Sequence, residues 1–481
     1  MMTNRHCWAV LALTAAGGAM RFATLDVQSL SFDEAFGLSQ VLDGSLGHVF
    51  TRLPETESNP PTYYILAWLW GQVFGFGEVG IRSLSALVGT AVIPVVYLAG
   101  RELATRRAGM AAGALTAVNP LLIFYSQEAR NYALLTLCAS LSILFLARAL
   151  REPTRRTLAL WSGTCVLALT VHYFAGFLFV AEAAVLLASI RPRMPAVLAS
   201  LPPVIAGLAL APLALSQADG RTEWISGQPL GTRAHQVISK FGVGDIDPVS
   251  NGPLALLAVA LSGAVAYGIV RSGPRERRGG LLALVLAGGP VALVLVLEAG
   301  GAHYLVARNL IFALPAALLA AGAFLGARRA ASWGLAAAAT VCALSLALAV
   351  ATPLDRRLQR PDFRGAAEAI GPPSSDMALV IPYYGKAPIE HYLPGAAVAP
   401  ASLAVTTVEL VTPLNRRDSG RPAREPTPPP PPGFAVVRRD EGPGFTRIVY
   451  RAPAPQTVST EALRTLVAVE AIQAPVVLTG P

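Results

Sequence analysis

The chain has 481 residues, of which 53% are hydrophobic and only 14% charged, whereas soluble proteins carry about 25% charged residues. Its mean hydropathy of +0.52 excludes an ordinary soluble domain. It also excludes disorder over most of the length, because so apolar a chain has much to bury. The formal net charge is +9. Four cysteines lie in apolar runs without metal-binding spacing, so we interpret them as small buried hydrophobes. Composition therefore predicts an all-α polytopic membrane protein.

Apolar stretches of membrane-spanning length recur along the chain. A spanning helix needs about 20 predominantly apolar residues, and eleven stretches are interpreted as spans, the fifth being short: 7–25, 82–100, 108–124, 133–147, 157–171, 174–190, 196–215, 253–270, 280–297, 309–326 and 332–352. The first span is expected to be an uncleaved anchor rather than a signal peptide. The stretch 62–76 follows two prolines and is shorter, so we interpret it as an interfacial or partly inserted helix.

Arginine predicts the orientation, because cytoplasmic loops of membrane proteins are enriched in basic residues. Every second loop is arginine-rich, and the arginines of these loops are Arg101, Arg106, Arg107, Arg148, Arg151, Arg155, Arg156, Arg191, Arg193, Arg271, Arg275, Arg277, Arg278, Arg328 and Arg329. These loops and the N-terminus are expected in the cytoplasm. The preference for Arg over Lys and the abundance of Ala indicate a GC-rich bacterial genome, so the predicted location is the bacterial plasma (inner) membrane.

The last segment, 353–481, follows the final span and is expected on the extracytoplasmic side. A short helix over 362–370 and strands at 378–381, 434–437 and 447–450 predict a small α/β domain. Its proline-rich loop, 426–432, is expected to be a stiff polyproline spacer or a surface loop, and 455–481 is expected to be loosely ordered. The predicted domains are therefore 1–352, with a first outer loop at 26–61, and 353–481.

Acidic, basic and aromatic residues collect in the loops predicted to lie outside. In the first outer loop, Asp33 and Glu34 are adjacent, and Phe32 and Phe36 flank them at helical spacing. On a surface helix the two carboxylates point in different directions, so one acts on a substrate while the other faces water or a support. The alternative is a solvated pair of loop acids.

The later outer loops contain further candidates. Glu128 and Arg130 flank Ala129 at the end of a span, as a site pair or as an interfacial ion pair. Arg308 and Arg82 stand at the outer starts of spans, where Arg also snorkels. The planar fork of Arg suits phosphate recognition. His172, beside Tyr173, is either structural or part of the site. Glu182, within a span, has no assigned role. Walker A, HExxH and GxSxG motifs do not occur.

The order of motifs along the chain resembles glycosyltransferase family 39, membrane enzymes of the GT-C fold that include protein O-mannosyltransferases and aminoarabinose transferases acting on lipid A. The resemblance is densest over 20–180 and continues weakly through Tyr304–Pro315 and Pro361–Ile370. The motifs are Phe32-Asp33-Glu34, Asn59-Pro60-Pro61-Thr62-Tyr63-Tyr64, Arg82-Ser83-Leu84-Ser85-Ala86-Leu87, Tyr97-Leu98-Ala99-Gly100-Arg101, Asn119-Pro120 and Tyr125-Ser126-Gln127-Glu128-Ala129-Arg130-Asn131-Tyr132.

The resemblance implies a transferase that moves a hexosyl or pentosyl group from a polyprenyl-phosphate sugar to an acceptor hydroxyl on the extracytoplasmic face, in one inverting displacement. The acceptor is a glycan, lipid or protein. Residue by residue, the resemblance and the outer location give Asp33 as the base, Glu34 and Glu128 as further catalytic acids, Arg130, Arg308 and Arg82 as phosphate-binding residues, and His172, Tyr173, Tyr63, Tyr64 and Tyr304 as substrate-binding residues.

A divalent cation is an open alternative in this assignment. Some GT-C members have two acids in the second outer loop, whereas this chain has only Glu128 there, so no obligatory metal is expected. A single ion shared by Asp33 and Glu128 is the alternative. No nucleic-acid partner is expected.

Two other functions compete with a transferase. A transporter or flippase for a lipid-linked sugar needs polar groups near the bilayer midplane and often repeated halves, and only Glu182 fits that description. A non-catalytic scaffold would use the C-terminal domain to bind a partner.

Overall fold

The computed structural model describes residues 2–218, 223–245, 262–413, 427–442, 444–467 and 474–481. These residues form two compact units. The first contains 2–25, 44–245 and 262–350, and the second joins 26–43 to 351–481. The segment with Asp33 and Glu34 thus clusters with the C-terminal part of the chain, which the linear division at 352/353 did not anticipate. That division itself stays a prediction.

Helices account for most of the described chain. In chain order they are α1 Met2–Phe22, α2 Phe32–Gly37, α3 Leu46–Thr56, α4 Thr62–Phe74, α5 Glu78–Leu103, α6 Arg106–Val118, α7 Pro120–Ser126, α8 Tyr132–Arg151, α9 Arg155–Val171, α10 Ala175–Ser189, α11 Met194–Ser216, α12 Glu223–Ser226, α13 Leu230–Val243, α14 262–271, α15 Pro274–Ala299, α16 Leu314–Leu325, α17 Ala331–Leu354, α18 Phe363–Ile370, α19 Lys386–Tyr392 and α20 Thr460–Arg464. A 3₁₀ turn, Ala307–Ala313, leads into α16.

Within the described residues, six helices are long and apolar enough to cross a membrane, or seven when the bent pair α6–α7 counts as one span. The molecule is a multipass membrane protein, but eleven spans are not confirmed. Of the other expected spans, α10 is a shorter apolar helix, α1 and α9 are helical at the expected places, and 253–270 lies partly outside the described residues. The stretch 62–76 forms α4, a helix of 13 residues.

A break within the third expected span bends α6 and α7 by 57°. Asn119 caps the new helix, because its Oδ1 accepts from the Leu122 amide at 3.0 Å, and Pro120 takes the first helical position, where no amide is needed. Arg21, fully buried in α1, donates to the carbonyls of Thr116 and Ala117 at the freed end of α6. The break is therefore satisfied by a residue from another helix.

Small residues allow α5 and α6 to pack closely. A Cβ on Gly109 would lie 2.4 Å from the Tyr97 carbonyl oxygen, and one on Gly100 would lie 2.8 Å from the Gly109 Cα. Small residues bring helix backbones together in this way in membrane bundles. The close α5–α6 contact holds α6, which leads into α7 and then into the second outer loop.

The second unit contains a six-stranded sheet in the order β2-β6-β1-β3-β5-β4, which confirms the small sheet expected at the C-terminus. The strands are β1 Met377–Ile381, β2 Ala397–Val398, β3 Ser402–Pro413, β4 Ala435–Gly442, β5 Phe445–Ser459 and β6 Val476–Thr479. All five residues of β1 are buried, as expected of a central strand. β1 runs parallel to β3, and the other pairs are antiparallel.

The expectation of loose order over 455–481 was wrong for most of that segment. β5 continues to Ser459, α20 follows it, and β6 pairs with β1 in the sheet interior. Residues 468–473 lie outside the described residues. In the proline-rich segment, the Pro428 carbonyl accepts from the Tyr450 hydroxyl at 3.1 Å.

Candidate functional site

Helix α2 presents the two acids of the first outer loop. Ser31 caps the helix: its Oγ accepts from the Glu34 amide at 3.3 Å, while Glu34 Oε2 accepts from the Ser31 amide at 2.9 Å. This reciprocal pair is a capping box, which satisfies two amides at the helix start. The carboxylate of Glu34 is therefore fixed by its own helix.

Glu34 also forms a buried ion pair within the second unit. Arg360 Nη1 lies 2.7 Å from Glu34 Oε2, and the two side chains are 7% and 0% exposed. A buried carboxylate needs such a partner to offset its desolvation. The structure thus places Glu34 as an anchor of α2.

Asp33, the predicted base, is the second residue of α2 and is half-buried. The rings of Phe32 and Phe36 stack with centroids 5.6 Å apart, on one face as their spacing predicts, and Phe32 also contacts Tyr383 at 5.8 Å. The positive end of the helix dipole favours negative charge in the first turn. The adjacent acids therefore differ in their surroundings, since Glu34 is enclosed and Asp33 is more accessible.

The second outer loop lies between α7 and α8 and presents Arg130. Both terminal nitrogens of Arg130 donate to Glu57, each at 2.9 Å, and the side chains of Arg130 and Glu57 are 8% and 4% exposed. This bidentate geometry orients the planar guanidinium. Glu57 was part of the predicted outer loop but had no assigned role.

Aromatic residues of α4 surround the same guanidinium. The Arg130 Cζ lies 5.8 Å from the centroid of the Tyr64 ring, within the range of a cation–π contact. Tyr63 and Tyr64 are both buried and meet edge to face at 5.5 Å. These two predicted substrate-binding residues therefore lie beside a predicted phosphate-binding residue.

His172 lies in the same charged neighbourhood, between α9 and α10. Burial, together with the positive charges of Arg130 and Arg308, lowers the pKa of His172 from 6.5 to about 3. Its Nδ1 accepts from the Phe174 amide at 3.2 Å, so the neutral ring has its proton on Nε2. The structure thus brings Arg130, Arg308 and His172 into one neighbourhood.

Tyr173, next in the chain, is tied to the first outer loop through Gln217. The Tyr173 hydroxyl donates to Gln217 Oε1 at 2.7 Å, and Gln217 Nε2 donates to the Leu53 carbonyl at 3.1 Å. Burial raises the pKa of Tyr173 to about 12. Its hydroxyl is a neutral donor at physiological pH.

Glu298 organises the segment between α15 and the 3₁₀ turn Ala307–Ala313. Its Oε1 accepts from the amides of Tyr304 and Leu305 at 2.6 and 2.8 Å, and its two oxygens accept from Arg233 Nη1 at 2.9 and 2.8 Å. The Tyr304 ring then contacts Phe174 at 5.1 Å. Glu298 therefore positions the segment that leads to Arg308.

Glu128 is buried in the turn before Arg130. The charges of Glu128, Asp245 and Arg308 all act on the Tyr125 hydroxyl, which indicates a shared neighbourhood. Arg82, also buried, donates through Nη1 to the Leu25 carbonyl at 2.7 Å and lies 3.7 Å from Glu78. This contact fastens the start of α5 to the segment that follows α1.

The predicted residues divide between the two units. Asp33 and Glu34 belong to the second, and the other nine belong to the first. Their catalytic, phosphate-binding and substrate-binding roles stay predictions. Among the described residues there is no group of three or more His, Cys, Asp or Glu side chains placed to hold a metal ion.

Sequence reasoning missed four residues that fix these groups: Glu57, Arg233, Glu298 and Arg360. The Ser31-x-x-Glu34 spacing was a local signal for the capping box. The ion pairs left no local signal, because their partners lie far apart in the chain.

Glu182, which had no assigned role, is fully buried in the first unit. Its carboxyl accepts from Trp161 Nε1 at 2.8 Å, Ser142 Oγ at 2.9 Å and Cys165 Sγ at 3.4 Å. Three neutral donors from neighbouring helices surround it, as expected of an interhelical polar contact.

Comparisons with known proteins agree with this architecture. Residues 58–215 match the family described as dolichyl-phosphate-mannose-protein mannosyltransferase. Among solved structures, apo ArnT from Cupriavidus metallidurans is similar with a TM-score of 0.56 and 13% identity over 92% of this chain and 97% of that one. The resemblance to GT-C membrane glycosyltransferases is confirmed. The match to ArnT extends the GT-C fold over nearly the whole chain.

Two further solved structures show weaker likeness. The Archaeoglobus fulgidus oligosaccharyltransferase in complex with Zn and sulfate has a TM-score of 0.47 and 13% identity, over 75% of this chain and 55% of that one. The arabinosyltransferase EmbB from Mycobacterium smegmatis has a TM-score of 0.39 and 14% identity, over 65% of this chain and 30% of that one. These TM-scores are too low to establish a shared fold. A comparison with curated protein sequences found no match.

Proposed function

We propose that the protein is a membrane glycosyltransferase that moves a sugar from a polyprenyl-phosphate donor to an acceptor hydroxyl, with Asp33 as base. The observation that supports this most is the neighbourhood of His172 in the first unit. There, a buried histidine is held neutral by burial and two arginines, Arg130 and Arg308. A leaving phosphate develops negative charge, and preoriented cations stabilise it.

In this proposal, Arg130 and Arg308 bind the phosphate of the donor. Glu57 accepts from two of the five N–H donors of Arg130. Its role in the proposal is to hold the guanidinium plane in one orientation before the donor binds, so that binding costs less ordering of the side chain. Tyr63 and Tyr64, beside this plane, would contact the sugar or the first part of the lipid.

The proposed base, Asp33, lies in the first outer loop. Glu34, locked by Ser31 and Arg360, makes α2 a rigid support for Asp33. We assign Glu34 a positioning role, because its carboxylate is already engaged by a buried cation. Asp33, which directly precedes Glu34 and is more accessible, is the group that takes the proton.

The chemical step is a single displacement. The acceptor oxygen attacks the anomeric carbon, its proton passes to the Asp33 carboxylate, and the bond between the anomeric carbon and the phosphate oxygen breaks. The polyprenyl phosphate leaves with the electron pair, and the configuration at the anomeric carbon inverts. A positioned base contributes about 10²–10⁴-fold to such a rate. No step is assigned to a metal ion.

The family match, whose description names dolichyl-phosphate-mannose, supports a lipid-linked donor. A donor held by its lipid chain needs no nucleotide-binding fold. We place the reaction at the extracytoplasmic face of a bacterial inner membrane, with the arginine-rich loops and the N-terminus in the cytoplasm. The acceptor is a glycan, lipid or protein at that face.

The test compares lipid extracts of a deletion strain that expresses either the wild type or Asp33→Asn. Mass spectrometry measures the pool of polyprenyl-phosphate sugar. Accumulation only with the variant supports the proposal and identifies the donor. Equal pools with equal amounts of protein would remove Asp33 from the transfer step and favour a transporter or a scaffold.

A further inference from the structure

A large cavity lies in the first unit, at the end of the helices where the arginine-rich loops meet. Its volume is about 1480 Å³, larger than the roughly 300–1,000 Å³ typical of small-molecule sites. Six arginines from several loops and helix ends line it: Arg101, Arg106, Arg107, Arg151, Arg275 and Arg328. None of them belongs to the proposed transferase site.

The charge of this cavity is strongly positive. Glu102 is the single acidic residue among its lining residues in the described chain, and it accepts from both Arg101 and Arg151. The remaining four arginines come from the starts of α6 and α15 and from the turn before α17. Arginines converging from separate segments form a surface that suits a phosphate group.

One wall of the same cavity is apolar. α6 contributes Met110, Ala111 and Ala114, which share one helix face, and α17 contributes Leu335 and Ala339, one turn apart. Leu335 is 44% exposed. The cavity therefore combines a cationic region with an apolar track between two helices.

We propose that this cavity binds an anionic membrane lipid, with the lipid phosphate on the arginines and an acyl chain along α6 and α17. The combination of charge and apolar surface favours this occupant over a soluble anion, which would leave the apolar wall exposed. Basic pockets at the ends of membrane helices recognise anionic headgroups in this way. A zwitterionic lipid brings an ammonium group as well, which the arginines repel.

The experiment measures lipid binding to the full-length protein by native mass spectrometry, with phosphatidylglycerol and phosphatidylcholine of identical acyl chains. The double variant Arg106→Gln/Arg107→Gln should bind phosphatidylglycerol at least about tenfold more weakly. The matched control is Arg155→Gln/Arg156→Gln, because both arginines are exposed at the start of α9 and do not line the cavity. The control should bind like the wild type.

A second variant separates a lipid from an anion and covers a failure of the first to fold. Ala339→Trp fills the apolar wall at an exposed position and should weaken phosphatidylglycerol binding severalfold, whereas millimolar inorganic phosphate should not displace the lipid. Equal binding of both lipids, equal loss in the control, or displacement by inorganic phosphate would each overturn the proposal.

Discussion

Two buried carboxylate–arginine pairs hold the two loops that contain the predicted catalytic groups. In one pair the arginine fixes the carboxylate, and in the other the carboxylate fixes the arginine. In the second unit, Arg360 fixes Glu34, the neighbour of the candidate base. In the first unit, Glu57 fixes Arg130, which is itself the candidate phosphate ligand. In the second unit, Glu34 gives support and its neighbour Asp33 is the candidate base. In the first unit, Arg130 is both a member of the ion pair and the candidate phosphate ligand.

The difference determines what substitutions should do. Changes at Asp33 should affect the rate with little effect on the fold, and changes at Glu34 should affect the fold. Changes at Arg130 or Glu57 should affect both.

Asp33→Asn should reduce the transfer rate by about 10²–10⁴-fold, because the amide cannot accept the acceptor's proton. The thermal midpoint of the purified protein should stay within a few degrees of the wild type, since Asp33 is half-buried and Glu34 keeps the helix in place. Initial rates with donor and acceptor, beside a thermal scan of the same preparation, measure both. A large fall in the midpoint would mean that Asp33 is structural.

Glu34→Gln should destabilise the second unit by about 3–5 kcal/mol, because it leaves the Arg360 charge buried without its carboxylate. The double variant Glu34→Gln/Arg360→Gln should lose less free energy of unfolding than the sum of the losses in the two single variants, since the pair is removed together. Chemical unfolding of the single and double variants measures the coupling. Additive effects would contradict the ion pair.

Glu57→Gln should lower stability by a similar amount and also weaken donor binding, because Arg130 loses the partner that orients it. The contrast with Glu34→Gln lies in the kinetics: the KM for the donor should rise with Glu57→Gln and stay close to the wild type with Glu34→Gln. Steady-state rates at varied donor concentration check this. An unchanged KM in Glu57→Gln would remove the orienting role.

The pH dependence of stability provides a separate test, through His172. Its folded pKa of about 3 lies below the ordinary 6.5, so between these values the unfolded chain binds a proton that the folded chain does not. Stability should therefore rise with pH across that window, by at most about 1.4 kcal/mol per pH unit from this group. His172→Gln should flatten the rise in thermal midpoints between pH 4 and pH 7. An unchanged slope would mean that His172 is not held neutral.

Local patterns in the sequence predicted much of the fold. Hydropathy located the helices, because burial in a membrane demands long apolar runs, and strand patterns located β1, β4 and β5. The break at Asn119-Pro120 lies inside the predicted span 108–124 and was not predicted, since apolar composition does not indicate a bend. β3 and β6 were missed, because their pairing with β1 depends on residues far away in the chain.

The candidate site was predictable only in its parts. The residues Asp33, Glu128, Arg130 and Arg308 follow from polar groups in outer loops and from the family resemblance. Their fixing partners do not, because Glu57 and Arg130 are 73 residues apart, Glu34 and Arg360 are 326 apart, and Arg233 and Glu298 are 65 apart. Such pairs form only once the helices have packed.

The most direct test of the central claim is the release of polyprenyl phosphate by the reconstituted protein. Liposomes containing a polyprenyl-phosphate sugar and an acceptor are incubated with the wild type, Asp33→Asn or Arg130→Gln, and the freed lipid phosphate is measured by mass spectrometry. The account predicts acceptor-dependent release by the wild type and at least a hundredfold slower release by Asp33→Asn. Release by Asp33→Asn at the wild-type rate would contradict it.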